Sequence, residues 1–170
     1  MAAAFNEGGA TGEYVGSLKK ALEGNLLSYS CAPHELNRRG RARGELVGGN
    51  LTLLAHICGT ESAPKTKGRI LFLEDVGEQL YNIDRMMVQL KRNGRLAHLA
   101  GLIVGGFTQC KDTDRPYGKT AYEIIREAVS EYRYPVCFGF PVSHEVENVA
   151  LKVGVKVQLN VSRANVFLKE

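Results

Sequence analysis

Two short apolar runs in this sequence end in side chains suited to acid–base chemistry. Arg69-Ile70-Leu71-Phe72-Leu73 reads as a strand buried on both faces, and it finishes in Glu74-Asp75. Val136-Cys137-Phe138 leads through Gly139-Phe140-Pro141 to His144, with Glu145 and Glu147 close behind. In α/β sheets reactive groups collect where strands finish, because the loops there face a cleft. A histidine held by a carboxylate is the base half of a nucleophilic triad: the acid fixes the tautomer and stabilises the imidazolium. On residue type alone, His144 also fits a surface loop histidine, and Glu74 also fits a cap on the following turn.

The nucleophile has no such signature. None of Ser17, Ser28, Ser30, Ser62, Ser130, Ser143 and Ser162 stands in a Gly-x-Ser-x-Gly elbow. Ser143 adjoins His144, but consecutive loop residues rarely aim their side chains together. Gly48-Gly49-Asn50 is equally explained by an anion-holding turn and by a tight strand-to-helix connection. There is no Walker motif, dinucleotide fingerprint or metal-ligand spacing, so no cofactor or metal is expected. His34, His56 and His98 are scattered and read as structural.

These groups need a scaffold, and the sequence alternates helices with strands. Tyr14, Leu18, Ala21 and Leu22 mark an amphipathic helix over 13–23, followed by a short strand around Leu26, Leu27 and Tyr29. Arg38 to Gly44 reads as a loop entering a short strand, Glu45-Leu46-Val47. Asn50 is a good N-cap for a helix carrying Leu51, Leu54, Ala55 and Cys58, closed by Gly59. A longer helix is predicted over 78–93, a strand at Leu102-Ile103-Val104, and a helix through Tyr122, Ile125, Val129 and Tyr132. Val155, Val157 and Leu159 alternate as a half-exposed strand that pairs with Val166 to Leu168. The pattern implies an α/β domain whose mostly parallel sheet carries an antiparallel edge.

Composition narrows the class. The 170 residues are 44% hydrophobic and 24% charged, which suits one globular domain and excludes collagen and disordered chains. No apolar run approaches the roughly 20 residues that cross a bilayer, and no membrane partner is expected. Met1 to Gly12 is small, Gly-rich and aperiodic, without the basic start and apolar stretch of a signal peptide. With 22 Lys+Arg against 18 Asp+Glu the balance is mild, and Arg38-Arg39-Gly40-Arg41-Ala42-Arg43 is a short footprint for nucleic acid. It reads as a solvated loop, so no nucleic-acid partner is expected. Cys31, Cys58, Cys110 and Cys137 form no Cys-x-x-Cys pair and read as structural thiols of a reduced, cytoplasmic protein.

Several motifs, in order, carry a resemblance. They are Gly40-Arg41-Ala42-Arg43-Gly44-Glu45-Leu46-Val47-Gly48-Gly49-Asn50-Leu51, then Gly59-Thr60, then Ile70 to Val76. Tyr81, Ile83-Asp84-Arg85-Met86, Gln89-Leu90, Gly94, Gly101 to Gly105 and Phe107 follow. Gly139-Phe140-Pro141-Val142, His144, Asn148 and Ala150-Leu151 complete the series. Over roughly residues 1 to 160 the chain resembles the LD-carboxypeptidase family, serine peptidases that include muramoyltetrapeptide carboxypeptidase and the microcin C immunity peptidases.

The resemblance implies a C-terminal domain of swivelling β/β/α type, over 13–170, that supplies the acid and base of a Ser-Glu-His triad. By motif position Glu74 resembles the family's acid and His144 its histidine. Asn50, Asp75 and Arg85 are candidates to line the cleft or brace Glu74, Arg85 serving equally as a buried structural partner. Residues 1–12 resemble the segment linking the family's two domains, and the serine-bearing N-terminal domain is the implied partner. The implied substrate is a murein tetrapeptide losing its terminal D-amino acid, with no metal or cofactor; a homodimer is an admissible assembly. Two positions depart from the family pattern: Ser143 replaces a usual Gly, and Lys152 a usual Pro, which bears on loop geometry without removing a functional group.

Overall fold

The computed structural model of the protein describes residues 12–170; the segment read as a linker lies outside them except for Gly12. In chain order the elements are α1 (Glu13–Leu22), β1 (Ser28–Cys31), β2 (Gly40–Asn50), α2 (Leu51–His56), β3 (Ile70–Val76), α3 (Leu80–Arg92), β4 (Gly101–Thr108), α4 (Ala121–Ala128), β5 (Val136–Phe138), β6 (Lys156–Val161) and β7 (Val166–Lys169). Seven strands form one sheet in the order β1-β7-β6-β2-β3-β4-β5. The four from β2 to β5 run parallel, whereas β2-β6-β7-β1 pair antiparallel.

The long strand β2 joins these halves. Gly40 to Glu45 pair antiparallel with β6, and Leu46 to Asn50 pair parallel with β3. This overturns the loop expected over Arg38 to Gly44. Arg41 and Arg43 point to solvent while Gly40, Ala42 and Gly44 alternate with them at intermediate burial. The inward residues are too small to give an apolar signal, so the period-two pattern was hidden behind the arginines.

Alternate residues of the parallel strands feed two cores. Val47, Leu71, Leu73, Leu102 and Val104 pack with Leu51 and Leu54 of α2, Ile83, Met87 and Leu90 of α3, and Ile124 and Ile125 of α4. Leu46, Ile70, Phe72, Ile103 and Cys137 pack instead with Val157, Leu159, Val161, Val166 and Leu168 of the antiparallel half. The antiparallel strands thus fold back over the second face of the parallel ones, a helix–strand–strand layering that buries β3 on both sides. At Gly48 the close approach leaves no room for a side chain: φ is +140°, and a Cβ would overlap the Phe72 carbonyl.

Helix ends depart modestly from expectation. Asn50 caps α2 as predicted, its Oδ1 accepting from Leu53 N at 3.1 Å, but the helix ends at His56, before Cys58. A Thr120–Glu123 capping box opens α4, which stops at Ala128 instead of continuing to Tyr132.

Candidate active site

The last residues of β3 and the loop after β5 are brought together by an irregularity in β4. Leu73 pairs with Val104 and Asp75 with Phe107, so Glu74 faces two residues, Gly105 and Gly106. This is a β-bulge, which locally re-aims a strand and is common beside active sites. Its two glycines receive the incoming loop. Gly106 N donates to Val142 O at 2.9 Å. A Cβ on Gly105 would overlap the Val142 carbonyl, and one on Gly106 would approach Ser143 Cβ to 2.5 Å. Tyr122 Oη donates to Gly105 O at 2.9 Å from the helical side, fixing the bulge.

The loop is held along its length. Phe140 N donates to Val104 O at 3.2 Å and Val149 N to Pro141 O at 2.8 Å. Buried Asn148 accepts from Ser143 N at 3.4 Å, and Ala150 N donates to Ser17 Oγ of α1 at 2.9 Å. These anchors deliver His144 to Glu74: Nδ1 lies 2.7 Å from Oε2. The glutamate side chain is 11% exposed and the imidazole 49%. The contact falls short of a linear hydrogen bond, and Oε2 has no hydrogen-bond partner among the described residues. Burial pushes the Glu74 carboxyl above its ordinary range; the His144 charge and contact pull it down, Asp75 adds to the rise, and the Asn50 amide opposes it.

Asp75, one residue on, is handled differently. It is 2% exposed and accepts from Asn50 Nδ2 at 2.7 Å, Thr52 N at 2.9 Å, Thr52 Oγ1 at 2.8 Å and its neighbour Val76 N at 2.9 Å. Its carboxylate thereby completes the start of α2, where backbone N–H groups lack helical partners. Asn50 sits opposite Glu74 in the β2–β3 register, so the same amide caps α2, holds Asp75 and flanks Glu74. Thr52 was not singled out from the sequence, and Gly105-Gly106 appeared there only at a strand's end and in a family motif, with no role in the site. A half-buried helical threonine and a glycine pair at a strand's end carry no signal until the partner strand is known.

Arg85 is not drawn into this group. It is exposed on α3, with its guanidinium 4.9 Å from the Tyr81 ring centre, and lines a polar groove with Thr52, His56, Glu78 and Asn82. The buried-partner alternative therefore does not hold, and no hydrogen bond or ion pair links Arg85 to Glu74 among the described residues. Ser143 Oγ accepts from Glu145 N at 2.9 Å and donates to Glu147 O at 3.3 Å, which turns it into its own loop and away from a nucleophilic role on His144. Among the described residues no cluster of His, Cys, Asp and Glu is arranged to hold a metal ion. The assembly can hold an imidazole by one nitrogen and leave its other edge half open, which is an acid–base device in need of a nucleophile.

Known proteins share this arrangement of sequence and fold. The LD-carboxypeptidase C-terminal domain matches residues 43–159. A probable murein peptide carboxypeptidase of Bacillus subtilis is 35% identical over 130 residues, covering 76% of this chain and 41% of that protein. The microcin C7 self-immunity protein MccF of Escherichia coli is 31% identical over 155 residues, covering 89% and 42%. Muramoyltetrapeptide carboxypeptidase from Oxalobacter formigenes superposes with a TM-score of 0.83 at 30% identity, covering 91% of this chain and 53% of that structure. The chain spans less than half the length of these two curated relatives. With the match taking in β2 through β6 and both strand ends that carry the acid and the histidine, the chain belongs to the LD-carboxypeptidase C-terminal domain family.

Proposed function

We propose that this domain supplies the acid and base of a serine-type LD-carboxypeptidase that removes the terminal D-amino acid from murein tetrapeptides in the cytoplasm. The observation that carries the proposal is the 2.7 Å contact of His144 Nδ1 with a largely buried Glu74. In the assembled enzyme His144 takes the proton from a serine as it attacks the amide carbonyl, using the nitrogen opposite Glu74. Glu74 holds the ring and stabilises the imidazolium. His144 then protonates the departing amine, and water hydrolyses the acyl-enzyme by the same path in reverse. Serine and oxyanion donors come from outside these 170 residues, in the half that the longer relatives possess.

The 170-residue chain alone is expected to fold without releasing D-alanine from tetrapeptide. Mixing it with a serine-bearing N-terminal domain of the family is expected to restore release, and His144→Ala to abolish it. Peptide binding without turnover in the mixture would instead make this a non-catalytic peptidoglycan-peptide module. The likeness to MccF supports a second reading, an immunity-type peptidase domain. One MccF structure holds glutamyl sulfamoyl guanosine, and cleavage of that compound in place of tetrapeptide would select it.

A further inference from the structure

The geometry points to a site of reversible oxidation at Cys31 and Cys137, in which the half-buried Cys31 is the peroxide-reactive thiol and the enclosed Cys137 resolves it to a disulfide. The two cysteines end β1 and centre β5, the opposite edges of the seven-stranded sheet. Those edges meet because the antiparallel half folds back over the parallel half. Beyond Cys31 the chain reaches β5 and is stitched to it at Asn37 and Arg38. Arg38 N donates to Val136 O at 2.9 Å and Val136 N to Arg38 O at 3.0 Å, while Phe138 N donates to Asn37 Oδ1 at 2.7 Å. The His34 ring lies 5.9 Å from the Phe138 ring, and Tyr29, two residues before Cys31, meets Phe140 edge-on at 6.5 Å. Cys31 packs against the core cluster that contains the fully buried Cys137.

The surroundings divide the labour between the sulfurs. Cys31 lines an open cleft of about 610 Å³ with His34, Phe138, Gly139 and Pro141. The neighbouring Cys137 thiol holds Cys31 below the usual cysteine range, against the effect of burial, and the Cys31 thiol together with burial pushes Cys137 up. A reachable thiol of lowered pKa beside a second cysteine is the arrangement of a redox-sensing pair. Cys58 and Cys110 lie at the other core and are both raised by burial, so they lack this activation.

The oxidant is hydrogen peroxide. Cys31 thiolate attacks one oxygen, the O–O bond breaks, and hydroxide leaves to give a sulfenic acid. Cys137 sulfur then displaces hydroxide from Cys31 sulfur, the S–S bond forms, and the thiol proton departs with hydroxide as water. Two thiols are oxidised while one peroxide is reduced to two waters.

The test treats the folded wild-type chain with hydrogen peroxide, alkylates the remaining thiols and maps the peptides by mass spectrometry. The expected product is a monomer in which the Cys31 and Cys137 peptides are joined, with Cys58 and Cys110 alkylated, and dithiothreitol reverses it. In Cys137→Ser the Cys31 sulfenic acid accumulates and is trapped by dimedone. Oxidation of Cys58 or Cys110 ahead of this pair, or irreversible oxidation of Cys31 with Cys137 still a free thiol, overturns the proposal. The wild-type measurement decides the matter even where a variant fails to fold, and it is independent of peptidase activity.

Discussion

Glu74 and Asp75 are consecutive buried carboxylates, yet their surroundings are opposite in kind. Asp75 receives four donors and ties β3 to the start of α2. Glu74 has one close side-chain contact across the site, the His144 imidazole, on a loop that rests on two glycines. A group serving the fold has its hydrogen-bonding capacity filled, because an unmet buried polar atom costs about 1–3 kcal/mol. Glu74, the acid of the proposed pair, retains capacity that the fold leaves open. The same β-bulge that interrupts the pairing of Glu74 with β4 presents the two glycines that receive the loop carrying His144.

Asp75→Ala tests the filled half of the contrast most severely. It strands the Asn50 amide and two backbone N–H groups and leaves the Thr52 hydroxyl only Glu78, and is expected to lower stability by about 3 kcal/mol in urea unfolding. A loss below ~1 kcal/mol would erase the distinction between the two carboxylates. Asn50→Ala removes the α2 cap together with one Asp75 bond and is expected to cost about 1–2 kcal/mol by the same measurement.

Glu74→Gln is expected to act in the opposite direction, raising stability at pH 7. The carboxyl is raised above 4.5 in the folded chain, chiefly by burial. The native state therefore binds its proton more tightly than the unfolded chain does. Its contribution to stability is fully present below pH 4.5 and is lost as pH rises through the folded value. Glutamine does not titrate, so the variant's stability should lack that decline, as read from melting temperatures between pH 4 and 7. A half-exposed imidazole repays too little of the burial cost to reverse the sign. A destabilised Glu74→Gln at pH 7 would mean that the pair holds the fold together. The smallest effect belongs to Ser143→Gly, which frees Glu145 N on an exposed turn and should change stability by no more than ~0.5 kcal/mol.

Much of this was legible beforehand for definite reasons. The strand at 69–73 shows itself as a continuous apolar run, because β3 is covered on both faces, and the acids at its end were visible with it. Asn50 declared its role through an N-cap preference that operates over three residues. The strand from Gly40 to Gly44 was not legible, because glycine and alanine on its inward face carry no hydrophobic period. That Arg85 lines the cleft or braces Glu74 was an expectation from the family resemblance, and α3 presents that arginine to solvent beside Tyr81.

The sequence by itself determined the local chemistry of this protein: which runs bury both faces, where helices are capped, and that an acid and a histidine each follow a short apolar strand. Its ordered motifs also pointed to the family. Tertiary structure alone decided that Glu74 and His144 touch, that Asp75 is spent on α2, and that Cys31 is brought against the core that holds Cys137. Local preferences extend over a few residues, whereas these contacts join positions 70 and 106 residues apart. They depend on strand order, on a bulge at two glycines and on the folding of one half of the sheet over the other, none of which a local pattern encodes.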